Sequence, residues 1–146
     1  MTIPSPASVV VDRRVDWQDT DAAGHYHHST VIRWVEAAEA VLLDRLNLAG
    51  LFGTIPRVRY EVDYAERLWF GDIATITLSV DRVGTSSLRY EFVVTTGENT
   101  VARGALTAVH TATESTGSKP WSDPVRAALE SSGRLPGERM VARTAI

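Results

Sequence analysis

A single helix-forming run stands between one short strand pattern and a long series of alternating ones, and that order restricts the fold more than any other feature. From Ser29 or Thr30, either of which can serve as N-cap, the run to Leu46 contains Ala37, Ala38, Ala40, Leu42 and Leu43, with Arg33, Glu36 and Asp44 near one face. Most of the remaining circumference is apolar, so the helix is expected to be largely buried. Before it, Val9, Val11, Val15 and Trp17 fall on one side of a strand, and Asp12, Arg14 and Asp16 on the other. After it, Asn47, Gly50 and Gly53 break the helix and Pro56 closes the connection.

From there the chain reads as β to about residue 113. Val58, Tyr60, Val62 and Tyr64 alternate with charged residues, as do Ile76, Leu78 and Val80 with Thr75, Thr77 and Ser79. Leu88, Tyr90, Phe92 and Val94 form the next run, and Val101 to Thr111 a further β-rich one. The links at Gly84 and Gly97 are short, which predicts antiparallel hairpins. Asp123 followed by Pro124 predicts an N-cap and first turn of a short helix through Leu129. One antiparallel β-sheet wrapped around one long central α-helix, an α+β domain, satisfies this order. Its core is expected over about 9–130, with 133–146 a tail that is either mobile or docked on a neighbouring subunit.

Composition narrows the function classes. At 146 residues and 44% hydrophobic, the chain is one domain able to bury a proper core. It has no cysteine, which removes disulfides, thiolate nucleophiles and Cys-based zinc sites and suits the cytoplasm. The start Met1-Thr2-Ile3-Pro4 has no signal-peptide pattern, and Arg33, Glu36, Glu39, Asp44 and Arg45 interrupt the longest apolar stretch, so no membrane span is expected. A net charge of −3 with scattered arginines argues against nucleic acid as the main partner.

Chemistry is most concentrated at Asp19 to Trp34, where two carboxylates, Gly24 and three of the chain's 4 histidines precede the helix. An acidic loop feeding a helix start supplies a carboxylate to attack or activate water, and free backbone N–H groups for developing negative charge. Residue type alone leaves Asp21 open to a turn-forming role and Asp19 to loop closure. His25, His27 and His28 admit a metal site or a proton relay, but adjacent His27 and His28 do not easily face one ion and no longer zinc signature is present, so no metal or other cofactor is expected. Arg57, Arg59, Arg67, Arg82 and Arg89 are candidate phosphate contacts, or cross-strand surface charges.

The series Asp19-x-Asp21-x-x-Gly24, an aromatic-rich stretch and then Arg33-Trp34-Val35-Glu36-Ala37-Ala38 resembles the 4-hydroxybenzoyl-CoA thioesterase family of hotdog-fold acyl-CoA thioesterases, including its Tol-Pal-associated branch. Tyr64-Ala65-Glu66-Arg67 with Gly71-Asp72, and Gly84 to Leu88, resemble later segments of the same family, so the likeness covers roughly 9 to 113 in order. It implies a hotdog fold and hydrolysis of an acyl-CoA or acyl-carrier-protein thioester. It places the catalytic carboxylate at Asp21, as general base or nucleophile, and the carbonyl-polarising backbone N–H at His28. Loss of one such donor typically costs about 2.7–4 kcal/mol of transition-state stabilisation. Gly24 turns the chain between them. His25, Tyr26 and Val31 depart from the residues common in the family and are expected to line the acyl pocket, so they bear on substrate choice. Glu36, on the helix, is expected to be a solvated or interface carboxylate rather than a second acid. A homodimer or homotetramer is expected, because the sheet leaves an edge strand free. The rival from another class is a non-catalytic hotdog module that binds acyl-CoA or a partner; the spacing from Asp to His does not match a hydratase.

Overall fold

The computed structural model describes residues 4–112 and 117–140. Five strands, β1 (Ser8–Arg14), β2 (Arg57–Tyr64), β3 (Ile73–Val83), β4 (Ser87–Thr96) and β5 (Asn99–Val109), form one antiparallel sheet in the order β1-β3-β4-β5-β2. The helix α1 (Thr30–Arg45) packs on one face, and a shorter α2 (Asp123–Ser131) follows the sheet. This is the hotdog fold.

Period-two alternation decides which face is buried. Ile76, Leu78 and Val80 of β3 and Leu88, Tyr90, Phe92 and Val94 of β4 join Val31, Val35, Ala38, Leu42 and Leu43 of α1 in one core. The expected hairpins are present, with Gly97 at φ +57° in the β4–β5 turn. Gly104 on β5 has a different reason to lack a side chain: a Cβ there would collide with the Glu61 carbonyl of β2 and the Phe92 ring. Without that glycine the outermost strand β2 could not lie flat against β5.

Two local expectations need correction, and a third is met at Ser29. Trp17 is not part of the first strand: β1 ends at Arg14, because Val15 turns its backbone to Gly71 and Asp72 and the Asp19 carboxylate accepts from the Asp16 N–H at 2.9 Å, bending 17–19 into a 3-10 turn. The cap of α2 is Ser122, whose hydroxyl accepts from Val125 N–H, so Asp123 moves inside the first turn with Pro124. Ser29 holds the N-cap position of α1 without a side-chain cap bond, its hydroxyl being 2.8 Å from His27 Nδ1.

The tail also differs from expectation. Residues 133–140 run parallel to the outer edge of β1 of their own chain: Ser8 N–H donates to Gly133 O, Leu135 N–H to Ser8 O, Glu138 N–H to Val10 O and Asp12 N–H to Glu138 O. Gly137 passes so close to the Val10 carbonyl that any side chain would collide with it. The buried Asp12 carboxylate locks the strap, accepting from Thr75 Oγ1 at 2.7 Å, Met140 N–H at 2.9 Å and Arg139 Nε at 3.0 Å. Burial alone would raise its pKa, but these bonds and the Arg139 charge together hold it below the usual 3.8. Unpaired backbone groups on β1 explain why the tail settles there. Residues 141–146 lie outside the described residues.

Candidate active site

Two carboxylates two residues apart behave differently. Asp19 is buried and its groups are spent on structure: Oδ1 accepts from Arg33 at 3.0 Å, Oδ2 from Asp16 N–H, and the main-chain carbonyl from His27 N–H at 2.7 Å and Thr30 Oγ1 at 2.9 Å. These bonds pin the loop to the start of α1. Asp21 closes a tight loop of its own, with its N–H on His25 O at 2.9 Å, its carbonyl accepting from Gly24 N–H at 3.0 Å and Oδ1 accepting from Ala23 N–H at 2.8 Å. Its Oδ2 is left facing His25 Nε2 at 3.8 Å. Gly24 at φ +91° makes the turn, and the Trp69 ring lies 3.5 Å from where its Cβ would be, so a side chain there is strained for a backbone reason first.

The segment after β2 supplies the opposite wall. His25 bridges to Trp69, and Tyr26 N–H donates to Leu68 O at 2.8 Å. This pairing opens a cleft of about 320 Å³ to which the loop contributes Asp21, His25, Tyr26 and His28. Tyr64, Ala65, Glu66 and Arg67 complete it. Tyr26 is buried, with its hydroxyl on Glu66 O at 3.1 Å; burial and then Tyr64 push its phenol above the ordinary range, so it is a neutral donor.

At the helix start, His27, Ser29 and Thr30 direct their N–H groups to Asp19 O, His27 Nδ1 and His27 O. The His28 N–H has no hydrogen-bond partner among the described residues. Its carbonyl is held from the far wall by Tyr64 Oη at 2.7 Å. The His28 ring is exposed and lies against His27, with centroids 4.0 Å apart. Among the described residues no three His, Asp or Glu side chains converge on a point that would hold a metal ion.

The structure thus brings Asp21, His25, Tyr26 and His28 to one cleft and sets Gly24 behind it as the turn. Val31 is elsewhere: it is fully buried in the core, because it points from α1 toward the sheet, and it does not line the cleft. Tyr64, Glu66 and Arg67 join the site through long-range pairing, for which local periodicity carries no signal, although Arg67 stood among the candidate phosphate contacts. Glu36 is exposed and bonded to Arg57, which also holds the buried Glu39 and the Ile55 carbonyl. Arg59 pairs with Glu61, and Arg89 with Asp81. Arg67 has no ion pair among the described residues.

Residues 15–129, which include the whole cleft, match the sequence profile of the thioesterase-like superfamily. The chain belongs to that superfamily. Its chemistry as a thioesterase-superfamily member is hydrolysis of a thioester. The fold is similar to a 1,4-dihydroxy-2-naphthoyl-CoA thioesterase from Synechocystis, at 19% identity and TM-score 0.77 over 84% of this chain and 95% of that one. It is also similar to a thioesterase from Thermus thermophilus, solved with coenzyme A and zinc, at 26% identity and TM-score 0.76 over 83% and 90% of the two chains. A gentisyl-coenzyme A thioesterase is 24% identical, with TM-score 0.73 over 82% of this superfamily member and 98% of its counterpart. Comparison with curated proteins gives no match. No helix among the described residues is long and apolar enough to cross a membrane.

Proposed function

We propose that this protein is a cytoplasmic acyl-CoA thioesterase of the 4-hydroxybenzoyl-CoA thioesterase group, with Asp21 as the group that activates water and the His28 N–H as the donor to the thioester carbonyl. The observation that carries the reading is the pairing, on one cleft, of a carboxylate with an uncommitted oxygen and a main-chain N–H with no partner among the described residues. In a partly enclosed site such a donor stabilises the oxyanion of the tetrahedral intermediate without reorganising at the moment of reaction. Water attacks the carbonyl carbon as Asp21 takes its proton; collapse expels the thiolate, which the same carboxyl reprotonates, leaving acid and thiol. We favour this over a mixed anhydride because Asp21 Oδ1 is bonded to Ala23 N–H and Oδ2 faces an imidazole rather than open space.

Coenzyme A is the thiol carrier in this reading, and Arg67, exposed at the cleft and without an ion pair among the described residues, is the candidate for its phosphates. Arg57, Arg59 and Arg89 are engaged elsewhere. We propose a homodimer formed through β2, which among the described residues pairs on one side only, with β5, and exposes Val58 and Tyr64. Since Tyr64 also lines the cleft, a second copy on that edge would abut the site. Two such dimers packed together would make the homotetramer.

Incubation with benzoyl-, isobutyryl- and hexanoyl-CoA, following free thiol, tests the reading. Thiol release above background from at least one is expected. Acyl-CoA binding without release would overturn hydrolysis in favour of a non-catalytic binding module.

A further inference from the structure

His25 sits where a second group acting on the attacking water would have to be. Its Nδ1 lies 3.1 Å from the Tyr26 carbonyl, an acceptor with no proton to give, so Nδ1 carries the hydrogen. In the neutral ring this leaves the Nε2 lone pair facing Asp21 Oδ2, 3.8 Å away. Two acceptors so placed do not bond each other. They span one water oxygen, which can sit about 2.8 Å from each and donate a hydrogen to both. The ring is fixed edge-to-face on Trp69, with centroids 5.7 Å apart and planes at 90°, and the backbone is paired to the same residue, so the imidazole has little freedom to turn away.

We infer that His25 is a second catalytic residue, holding the nucleophilic water jointly with Asp21 so that its free lone pair is directed out of the pair and toward the thioester. The inference rests on the hydrolase reading with Asp21 as base. In the step, the O–H bond facing Oδ2 breaks and its proton passes to Asp21. The water oxygen bonds the carbonyl carbon, and the second hydrogen stays on oxygen, bonded to Nε2. The ring need not be protonated at any stage. Protonation would in fact end its role: an Nε2–H would donate straight to Oδ2 and displace the water. Neutral His25 is therefore the active form, in a cleft it shares with Asp21, His28, Tyr26, Tyr64, Glu66 and Arg67.

Three variants assayed with the best acyl-CoA of the panel decide it. His25→Phe keeps a ring against Trp69 but no acceptor, and is expected to lose about 10- to 100-fold in kcat with KM changed less than about threefold. His25→Gln can place an amide oxygen near the Nε2 position and is expected to recover part of that loss. His27→Gln, whose native ring bonds Ser29 instead, is expected to keep the wild-type kcat. Long-range ¹H–¹⁵N correlation of the resting protein at pH 8 reads the tautomer without turnover and should show Nδ1–H with a bare Nε2. An Nε2–H tautomer, or wild-type kcat in both His25 variants while Asp21→Asn is inactive, overturns the role of His25 and leaves Asp21 standing. Full activity in Asp21→Asn overturns the base and the inference together.

Discussion

Two hollows flank α1, and each contains a carboxylate and an arginine. The cleft at the helix start measures about 320 Å³; the hollow beside the middle of the helix, lined by Glu39, Ile55, Arg57 and Thr111, is larger at about 420 Å³. In the larger one the charges are already answered. Arg57 bonds both oxygens of Glu39, one of Glu36 and the Ile55 carbonyl, and its guanidinium stays charged because those carboxylates outweigh the burial that opposes it. Beneath them Tyr90 is fully buried, and burial followed by the Glu39 charge drives its phenol far above the ordinary range. In the smaller one Asp21 Oδ2, the His28 N–H and Arg67 keep bonding capacity in hand. Volume and charge do not set the candidate site apart from the structural hollow. Unspent hydrogen bonds do.

That contrast can be attacked from either side. The largest effect is expected from Asp21→Asn, which should lower kcat by about 10²- to 10⁴-fold while leaving thermal unfolding in place. A variant that turns over normally would erase the distinction. Arg57→Ala should do the reverse. It strands Glu39 in the core and should cost about 3–5 kcal/mol in denaturant unfolding, with little change in kcat per folded molecule. Replacing Glu39 by Leu and Arg57 by Met together should restore most of that stability, since two solvated charges no longer have to be buried. If the double variant remains as weak as the single one, the pair does more than balance itself.

Next in size is Asp12→Asn at the strap. The Asp12 pKa is depressed on folding, so its carboxylate stabilises the fold above the usual 3.8, and the contribution fades as pH falls through the folded value. The variant should lose about 1–3 kcal/mol at pH 7 and show a flatter loss of stability between pH 4 and 2, roughly the window in which an aspartate protonates. An unchanged acid slope would place the acid sensitivity elsewhere. The smallest effect is expected from Tyr64→Phe. Removing the hydroxyl from His28 O should cost about 0.5–1.5 kcal/mol, read as a roughly three- to tenfold fall in kcat at constant KM. A rise in KM alone would make Tyr64 a wall of the pocket and no more.

The helix and all five strands were legible because burial on one face leaves a repeat in the sequence: Ile76-x-Leu78-x-Val80 has to alternate if one side of β3 is core. The loop at Asp19 and Asp21 was legible as a place, and residue type alone already pointed to Asp19 closing it. What escaped were contacts between distant segments. Nothing near Gly133 announces that it will pair with Ser8, and nothing near Tyr64 that its hydroxyl will reach His28. Trp17 looked like strand by spacing, yet the Asp16–Asp19 backbone turn outcompeted one more residue of alternation. Val31 shows the opposite error. His28, three residues earlier, belongs to the cleft, but rotation along the helix carries Val31 inward.

The strap over β1 carries a consequence in time. In chain order Ser8–Arg14 precedes its partner β3 by some sixty residues, and its outer edge stays open until residues 133–140 have followed. For most of synthesis, then, the sheet has two sticky rims, and a nascent chain can be extended from either. Closing one of them comes after all five strands in chain order, and among the described residues it leaves growth by edge pairing the β2 side alone.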